Sequence, residues 1–329
     1  MGIRSLTRLI NLKSPEAIQT TALYTLKGKR VGIDASIFLY KSLANIRKNG
    51  DYIRNKDDKI LSHIIGILNK SIQYIELGII PIYIFDGKPP IEKQNVLNER
   101  NKKVNESKEL LNKSSSNEEK LKHEKNTIRV KKHHIDDITN LLNLMGVSYI
   151  FAPGEAEVYA SELCRIGYID YVVTEDMDCL PSGCPNMIRS CLDKSIKRND
   201  VVSIISLDKV LKDFNMNYEE FIDMCILCGC DYCCTIPKIG TIRAFQYIQK
   251  YKTIKNFIEI HNPKNIPEEF INNYNKSSEL FKLFNDKIDI SKININHSKY
   301  NEKFNIYLKD TCNYQDKKIT KICEKLSQK

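Results

Sequence analysis

Four short apolar runs in this chain each stop at acid: "RVGID" at Asp34, "IIPIYIFD" at Asp86, "VSYIFAPGEAE" at Glu155 and Glu157, and "YVVTEDMD" at Asp176 and Asp178. Runs this short, rich in β-branched residues and lacking polar alternation, predict strands buried on both faces, as in a parallel sheet. Between them, "HIIGILNKSIQYIELG" (63 to 78) and "EVYASELCRIG" (157 to 167) carry apolar residues at helical spacing and stop at Gly78 and Gly167. Strands alternating with helices predict an α/β fold, a mostly parallel central sheet flanked by helices. In open sheets of this kind ligands bind beyond the carboxyl ends of the strands. Every acid named above falls at that edge.

A lone Asp at a strand end caps a turn. Six carboxylates at four matching edges, joined by Asp231 after "CILCGCDY", need another explanation. Uncompensated carboxylates in one cleft take up protons or repel one another, whereas divalent cations keep them ionised. An oxygen-only donor set, with no His nearby and no thiolate at matched positions, favours Mg²⁺ or Mn²⁺ over Zn²⁺. Two such ions roughly 3.5 to 4 Å apart can activate water and stabilise the leaving oxygen of an in-line phosphoryl displacement. The predicted reaction is phosphodiester hydrolysis. The opposing reading, structural acids paired with the many lysines, offers no physical reason for acids to gather at one sheet edge, because surface pairs contribute little.

Composition agrees with a polyanionic partner, since the net charge is +10. No run of about 18 apolar residues predicts a membrane span. The N-terminal "MGIRSLTRLINLKSPEAIQTT" lacks the apolar stretch of a secretory signal, and the 11 cysteines lack the dense spacing of a stapled secreted domain, so reduced thiols inside a cell are expected. Residues 91 to 134 hold 12 Lys and Arg against 7 Glu, with "SSSN" in the middle. They read either as a solvated loop or hairpin, or as a mobile basic element that contacts phosphates. Residues 219 to 251 predict a helix, a tight turn around "IPKIG" and a second helix, whose N-terminus can hold a phosphate.

"VGIDAS" (31 to 36), "YIFDGKPP" (83 to 90), "PGEAEVYASEL" (153 to 163), "VVTEDMDCL" (172 to 180) and "CILCGCDYC" (225 to 233) resemble, in order and spacing, the motifs of the flap endonuclease family of structure-specific 5′ nucleases. The resemblance runs from Met1 to about Tyr251. It implies an N-terminal nuclease region at 1–105, the remainder of a helical arch at 106–131, an internal nuclease region at 132–251 and a C-terminal helical extension and tail at 252–329. Asp34, Asp86, Glu155 and Glu157 would hold one Mg²⁺, and Asp176, Asp178 and Asp231 the other, with Mn²⁺ as an alternative. Lys93 and Arg100 match a basic pair that reaches the scissile phosphate, where a cation offsets charge developing on the phosphoryl oxygens. Tyr40 matches an aromatic on which a base stacks, its other reading being a plain core residue. Arg47 matches a DNA-contacting arginine, and Gly2 a residue whose amino group lies near the site once Met1 is removed. Thr235, Ile236 and Ile239 would ligate K⁺ in a helix–two-turn–helix that grips duplex DNA, with Lys238, Gly240 and Arg243 on its phosphates.

The resemblance implies a monomeric enzyme that cuts branched DNA carrying a 5′ flap, with 5′ to 3′ exonuclease action, in replication and repair. The expected compartment is intracellular, nuclear by the resemblance or the cytoplasmic site of replication for a viral protein. The rivals are a related metal-dependent 5′ exonuclease or RNA-cutting nuclease, and a catalytically silent DNA-binding protein. Several residues depart from the family pattern. Lys238 replaces a glycine, Thr241 and Ile242 replace a proline and a lysine, and Cys179, Cys228 and Cys230 replace Gly, Leu and Ser. Cys225, Cys228, Cys230 and Cys233 read as packing thiols. The tail has no glutamine-led apolar and aromatic motif for a sliding clamp, which leaves that partnership unsupported.

Overall fold

The computed structural model describes residues 2–48, 50–113, 123–124, 126–263, 265–284, 287–293 and 300–327. The chain forms two compact units interleaved along the sequence. The first comprises Met1–Thr25, Asp86–Val96 and Ala152–Ile290, and the second Leu26–Phe85, Leu97–Phe151 and Ser291–Lys329.

In the first unit, strands β1 (Ile18–Ala22), β7 (Tyr171–Val173), β8 (Asn186–Ser190) and β9 (Val201–Ser206) lie in the order β1-β9-β8-β7. β7 and β8 run parallel, while β9 is antiparallel to both β8 and β1. Its helices are α1 (Leu6–Lys13), α6 (Ala156–Arg165), α7 (Leu207–Phe214), α8 (Tyr218–Cys228), α9 (Thr241–Tyr251) and α10 (Glu268–Phe281). The predicted helix ending at Gly167 is α6, and Gly167 has the positive φ of 74° that lets a chain leave a helix. The predicted helix–turn–helix is α8 and α9. Asn217 caps α8 through a reciprocal pair with Glu220, which satisfies two backbone donors at the helix start. Phe214, Phe221, Phe257, Phe270 and Phe281 are fully buried in this unit. Each contributes on the order of 1.5–3 kcal/mol by leaving water.

The second unit contains β2 (Arg30–Asp34), β5 (Ile80–Phe85) and β6 (Ser148–Phe151), all parallel, with Asp34 opposite Ile84 and Phe85 opposite Phe151. Helices α2 (Ala35–Asn45), α3 (Ser62–Glu76) and α5 (Lys132–Met145) accompany them, and a short hairpin joins β3 (Arg47–Lys48) to β4 (Asp51–Tyr52). α3 ends as the sequence predicts, with Gly78 at φ 70°. The tail adds α11 (Lys303–Asp310) and α12 (Asp316–Ser327), which packs on α3 with Lys325 paired to Glu76 at 2.9 Å. Helix α4 (Gln94–Lys113) carries the start of the basic 91–134 segment. Its "SSSN" portion lies outside the described residues.

All four predicted strands form, and the sheets are mostly parallel with helices around them, as expected, but β6 is not buried on both faces: Tyr149 and Ile150 are half-buried and Phe151 is exposed. The sequence reading omits β1, β8 and β9. β1 is "IQTTA", mostly polar, and β8 carries Arg189 in a five-residue run, so neither shows the buried apolar pattern. Their pairing comes from backbone bonds that leave no mark on residue type.

One buried acid lies outside the strand ends. Asp223 on α8 accepts a hydrogen bond from the Ile254 backbone N–H at 2.9 Å. Burial pushes its carboxyl from 3.8 to about 6 despite that bond, with Glu219 adding repulsion and Lys282 a smaller opposing pull. The protonated acid is favoured in the fold, so stability falls as pH rises between those two values and the full cost remains above them. Asp223→Asn keeps an acceptor and removes the charge. It is expected to exceed wild type by about 1–2 kcal/mol at pH 7.5, discounted for partial solvent access. Thermal unfolding should show the gap narrowing at pH 4.5, and an equal gap at both pH values would refute it.

Candidate active site

The loop after β5 begins with Asp86, whose Oδ1 accepts from the Ala156 backbone N–H at 2.9 Å. That bond places an exposed carboxylate at the positive N-terminal end of α6, a favourable position for an anion. Gly87 makes the approach feasible. Its N–H donates to Gly154 O at 2.7 Å, and a Cβ there would sit 2.1 Å from Ala152 O. Glu155 and Glu157 flank the first turn of α6, and both are buried. Burial, then the neighbouring Glu155 charge, holds the Glu157 carboxyl well above the usual range, with Lys93 pulling the other way and Asp86 and Asp176 adding to the rise.

After β7 the chain turns through Asp176 and Asp178. Thr174 Oγ1 accepts from the Asp176 N–H at 3.1 Å, and Asp176 Oδ1 accepts from the Asp178 N–H at 3.2 Å. This turn aims the Asp178 carboxylate into the protein, where it is 0% exposed. Neither Asp178 oxygen has a hydrogen-bond partner among the described residues. Burial, with Asp176 and Asp231 adding repulsion, pushes the Asp178 carboxyl well above its ordinary value, and Lys93 counteracts this only partly. Burial raises Asp176 as well.

Lys93, in the turn before α4, points its ammonium at the acids. It pairs with Glu155 Oε1 and approaches Asp231 Oδ2 at 3.5 Å and Glu157 Oε1 at 3.8 Å. Burial alone would lower the Lys93 pKa, but Glu157, Glu155 and Asp231 together raise it, so it stays charged. Among the described residues no three His, Cys, Asp or Glu side chains form a ready-made ion site. The acids converge on an ammonium instead. A lysine charge drawn in by three carboxylates, beside a fourth carboxylate with two unmatched oxygens, shows that the donor set calls for more positive charge than the chain supplies. Oxygen-only donors of this density fit Mg²⁺ or Mn²⁺.

Gly2 belongs to the same group. Its φ is 75°, and a Cβ would lie 2.0 Å from Asp176 Oδ1 and 2.7 Å from the Asp178 N. The next residues hold the α8–α9 turn, with the Arg4 N–H donating to Gly229 O and Thr241 Oγ1 donating to Arg4 O. Gly2→Ala should therefore displace the Asp176–Asp178 turn. It is expected to cost at least about 10-fold in cleavage with little change in overall fold, as for other changes that move a positioned group by about 1 Å. Wild-type turnover by the alanine variant would show that the turn is indifferent to Gly2.

Tyr232, which the sequence reading does not assign, stands against this cluster. It is 2% exposed and donates its hydroxyl to Glu155 Oε2. Its only sequence signal is its place beside Asp231. In "TIPKIGTIR", Lys238 holds the left-handed conformation at φ 68°, so the turn keeps a shape suited to glycine with a lysine in place, and Arg243 donates to Lys238 O at 2.7 Å. Ile236 O accepts from the Ile239 N–H at 3.1 Å, and the Thr235 methyl lies close to Gly229. Gly240 precedes α9 as its N-cap. Cys225, Cys228 and Cys233 are buried, and burial raises all three thiols.

The remaining residues belong to the second unit. Asp34 ends β2 and caps α2, its Oδ1 accepting from the Ile37 N–H at 3.0 Å. Tyr40 is 38% exposed on α2, so it is not a plain core residue. Arg47 stacks on Tyr52 with 3.7 Å from its guanidinium carbon to the ring centroid, and donates to Glu124 at 2.8 Å. Its Nε and second terminal nitrogen have no hydrogen-bond partner among the described residues. Arg100 lies on α4, and its carbonyl accepts from Arg129 at 3.0 Å.

Comparison with known proteins gives two family matches, the XPG N-terminal domain over residues 1–107 and the XPG I-region over residues 146–231. Flap endonuclease 1 of Cryptosporidium parvum is 35% identical across the whole chain and 70% of its own length. Flap endonuclease 1 of Glycine max is 35% identical over 99% of this chain and 86% of its own. The catalytic core of Rad2 in complex with DNA substrate superposes with a TM-score of 0.74 at 19% identity, over 99% of this chain and 100% of that one. This last match speaks for the fold alone.

Proposed function

Because the chain belongs to the flap endonuclease family, we propose that it is a Mg²⁺-dependent, structure-specific 5′ flap endonuclease that hydrolyses phosphodiester bonds of branched DNA during replication and repair. The observation that carries this reading is the buried acid group with its unmatched Asp178 carboxylate and its captured lysine. The holding residues are Asp86, Glu155, Glu157, Asp176, Asp178 and Asp231, and the family pattern adds Asp34. The chemistry supplied by two bound Mg²⁺ ions is activation of water and stabilisation of the leaving oxygen in an in-line displacement.

The chain's own residues select and orient the substrate. Lys93, released from the acids, offers its ammonium to the phosphoryl oxygens, and Arg100 adds a second cation. Tyr40, exposed on α2, offers its ring for base stacking. Arg47, whose guanidinium is stacked on Tyr52 and largely buried against Glu124, offers its planar fork to a phosphate once released from that pair. Lys238, Gly240 and Arg243 meet duplex phosphates, and the carbonyls of Ile236 and Ile239 with the hydroxyl of Thr235 hold K⁺. Such contacts position the DNA by shape and strandedness and carry no base sequence. By the family resemblance the enzyme also degrades 5′ ends exonucleolytically and works in the nucleus, or at the cytoplasmic site of replication for a viral protein.

The test is cleavage of 5′-labelled double-flap DNA with Mg²⁺ and with chelator, beside nicked, single-stranded and RNA substrates. Metal-dependent release of a flap-length product, with flaps cut in preference, is expected. Binding to flaps without cleavage under any divalent metal would overturn the reading in favour of a silent binder.

A further inference from the structure

We infer that Tyr232 is a positioning residue that commits one oxygen of Glu155, leaving that carboxylate able to offer a cation a single oxygen. The inference rests on the metal reading above and goes beyond it by assigning a cause of metal choice.

The two oxygens of Glu155 face different partners. Oε1 pairs with the Lys93 ammonium and Oε2 accepts the Tyr232 hydroxyl. The two partners differ in what a cation does to them. An incoming divalent cation repels the ammonium, so Oε1 is open to exchange. It exerts no such repulsion on a neutral hydroxyl, and Tyr232 cannot easily swing away. Its ring is buried, meets Phe281 edge-on at 5.1 Å, and has the Lys93 ammonium 5.9 Å from its centroid. A phenol is protonated at neutral pH, so Tyr232 acts as the donor in this bond.

Committing Oε2 has a chemical consequence. Ca²⁺ accepts six to eight oxygens and readily takes both from one carboxylate, whereas Mg²⁺ demands compact octahedral geometry and binds carboxylates through one. A glutamate with one oxygen occupied therefore suits the smaller ion and penalises the larger. Asp178 has neither oxygen tied and carries no such bias.

The experiment is isothermal titration calorimetry of the full chain with Mn²⁺ alone, as an octahedral oxygen-binding surrogate for Mg²⁺, and with Ca²⁺ alone, for wild type and Tyr232→Phe. Loss of an outer hydrogen bond to a ligand typically costs about 10–100-fold in metal affinity. Mn²⁺ affinity should fall by that factor while Ca²⁺ affinity falls less or rises, moving the ratio at least about 10-fold towards Ca²⁺. Thermal unfolding without metal controls for the fold. In a Glu155→Gln background, adding Tyr232→Phe should leave the ratio unmoved, which a general loosening of the site would not do. An unchanged ratio in Tyr232→Phe, or the same shift in both backgrounds, overturns the assignment. Wild type that binds neither cation overturns the metal reading itself, and this inference with it.

Discussion

Asp178→Asn is expected to abolish flap cleavage, by at least about 10³-fold in turnover, while making the metal-free protein more stable. The two effects have one cause. Asp178 is the most deeply buried of the acids, and neither of its oxygens has a partner among the described residues. A carboxylate is held there in a neighbourhood that pushes its pKa well up through burial and the Asp176 and Asp231 charges. A neutral amide of the same shape removes that cost, worth about 1–3 kcal/mol by comparison with other buried uncompensated charges. It also removes the anionic oxygens that hold a cation. Thermal unfolding in chelator and cleavage of double-flap DNA in Mg²⁺ should thus move in opposite directions. A variant that loses both stability and activity would show Asp178 to be a structural acid.

Lys93→Ala is expected to reduce cleavage by about 10²–10³-fold and to destabilise the metal-free protein. Lys93 is the cation against which Glu155, Glu157 and Asp231 are set. Deleting one member of a buried charge group costs about 3–5 kcal/mol when the others stay charged. Added Mg²⁺ should restore most of the lost stability and none of the lost turnover, because a bound metal replaces the missing charge among the acids but not the ammonium at the phosphate. Unfolding midpoints across a Mg²⁺ titration, read against single-turnover rates, separate the two roles. If Mg²⁺ stabilises the variant no more than wild type, Lys93 is not the acids' counter-charge.

Six of the acids were legible in the sequence because each follows a short apolar run that forms a strand, and Asp231 because it follows the "CILCGCDY" helix. Their differing circumstances were not. Asp86 is exposed at a helix start while Asp178 is sealed, yet both follow the same kind of run. The difference lies in which side of its turn each faces, a property of backbone geometry set by Thr174 and by the Asp178 N–H. Tyr232 carries no further sequence signal for a related reason: a tyrosine beside a functional Asp reads the same whether its hydroxyl meets water or a carboxylate. Arg47 matches a DNA-contacting arginine by its motif position, but Glu124, which holds it, comes from a segment 77 residues away that carries no pattern of its own. Lys238 shows the opposite case. The tight turn is expected there, yet Lys238 stands where the family pattern has glycine, and the left-handed conformation forms regardless, because the surrounding bonds outweigh a strain of about 1 kcal/mol.

The interleaving of the two units has a consequence for how this protein is made. The first unit needs residues up to Ile290 and the second draws on residues beyond Ser291, so neither is complete until most of the chain has left the ribosome. Strand β1, near the beginning, finds its partner β9 only after some 180 further residues are synthesised, as the register of Ile18 with Ile205 records. Contacts of such long sequence separation slow folding and prolong exposure of apolar segments. Nascent chains stalled before α10 should accordingly remain sensitive to protease and dependent on chaperones, and truncation at either end is a poor route to a smaller working nuclease.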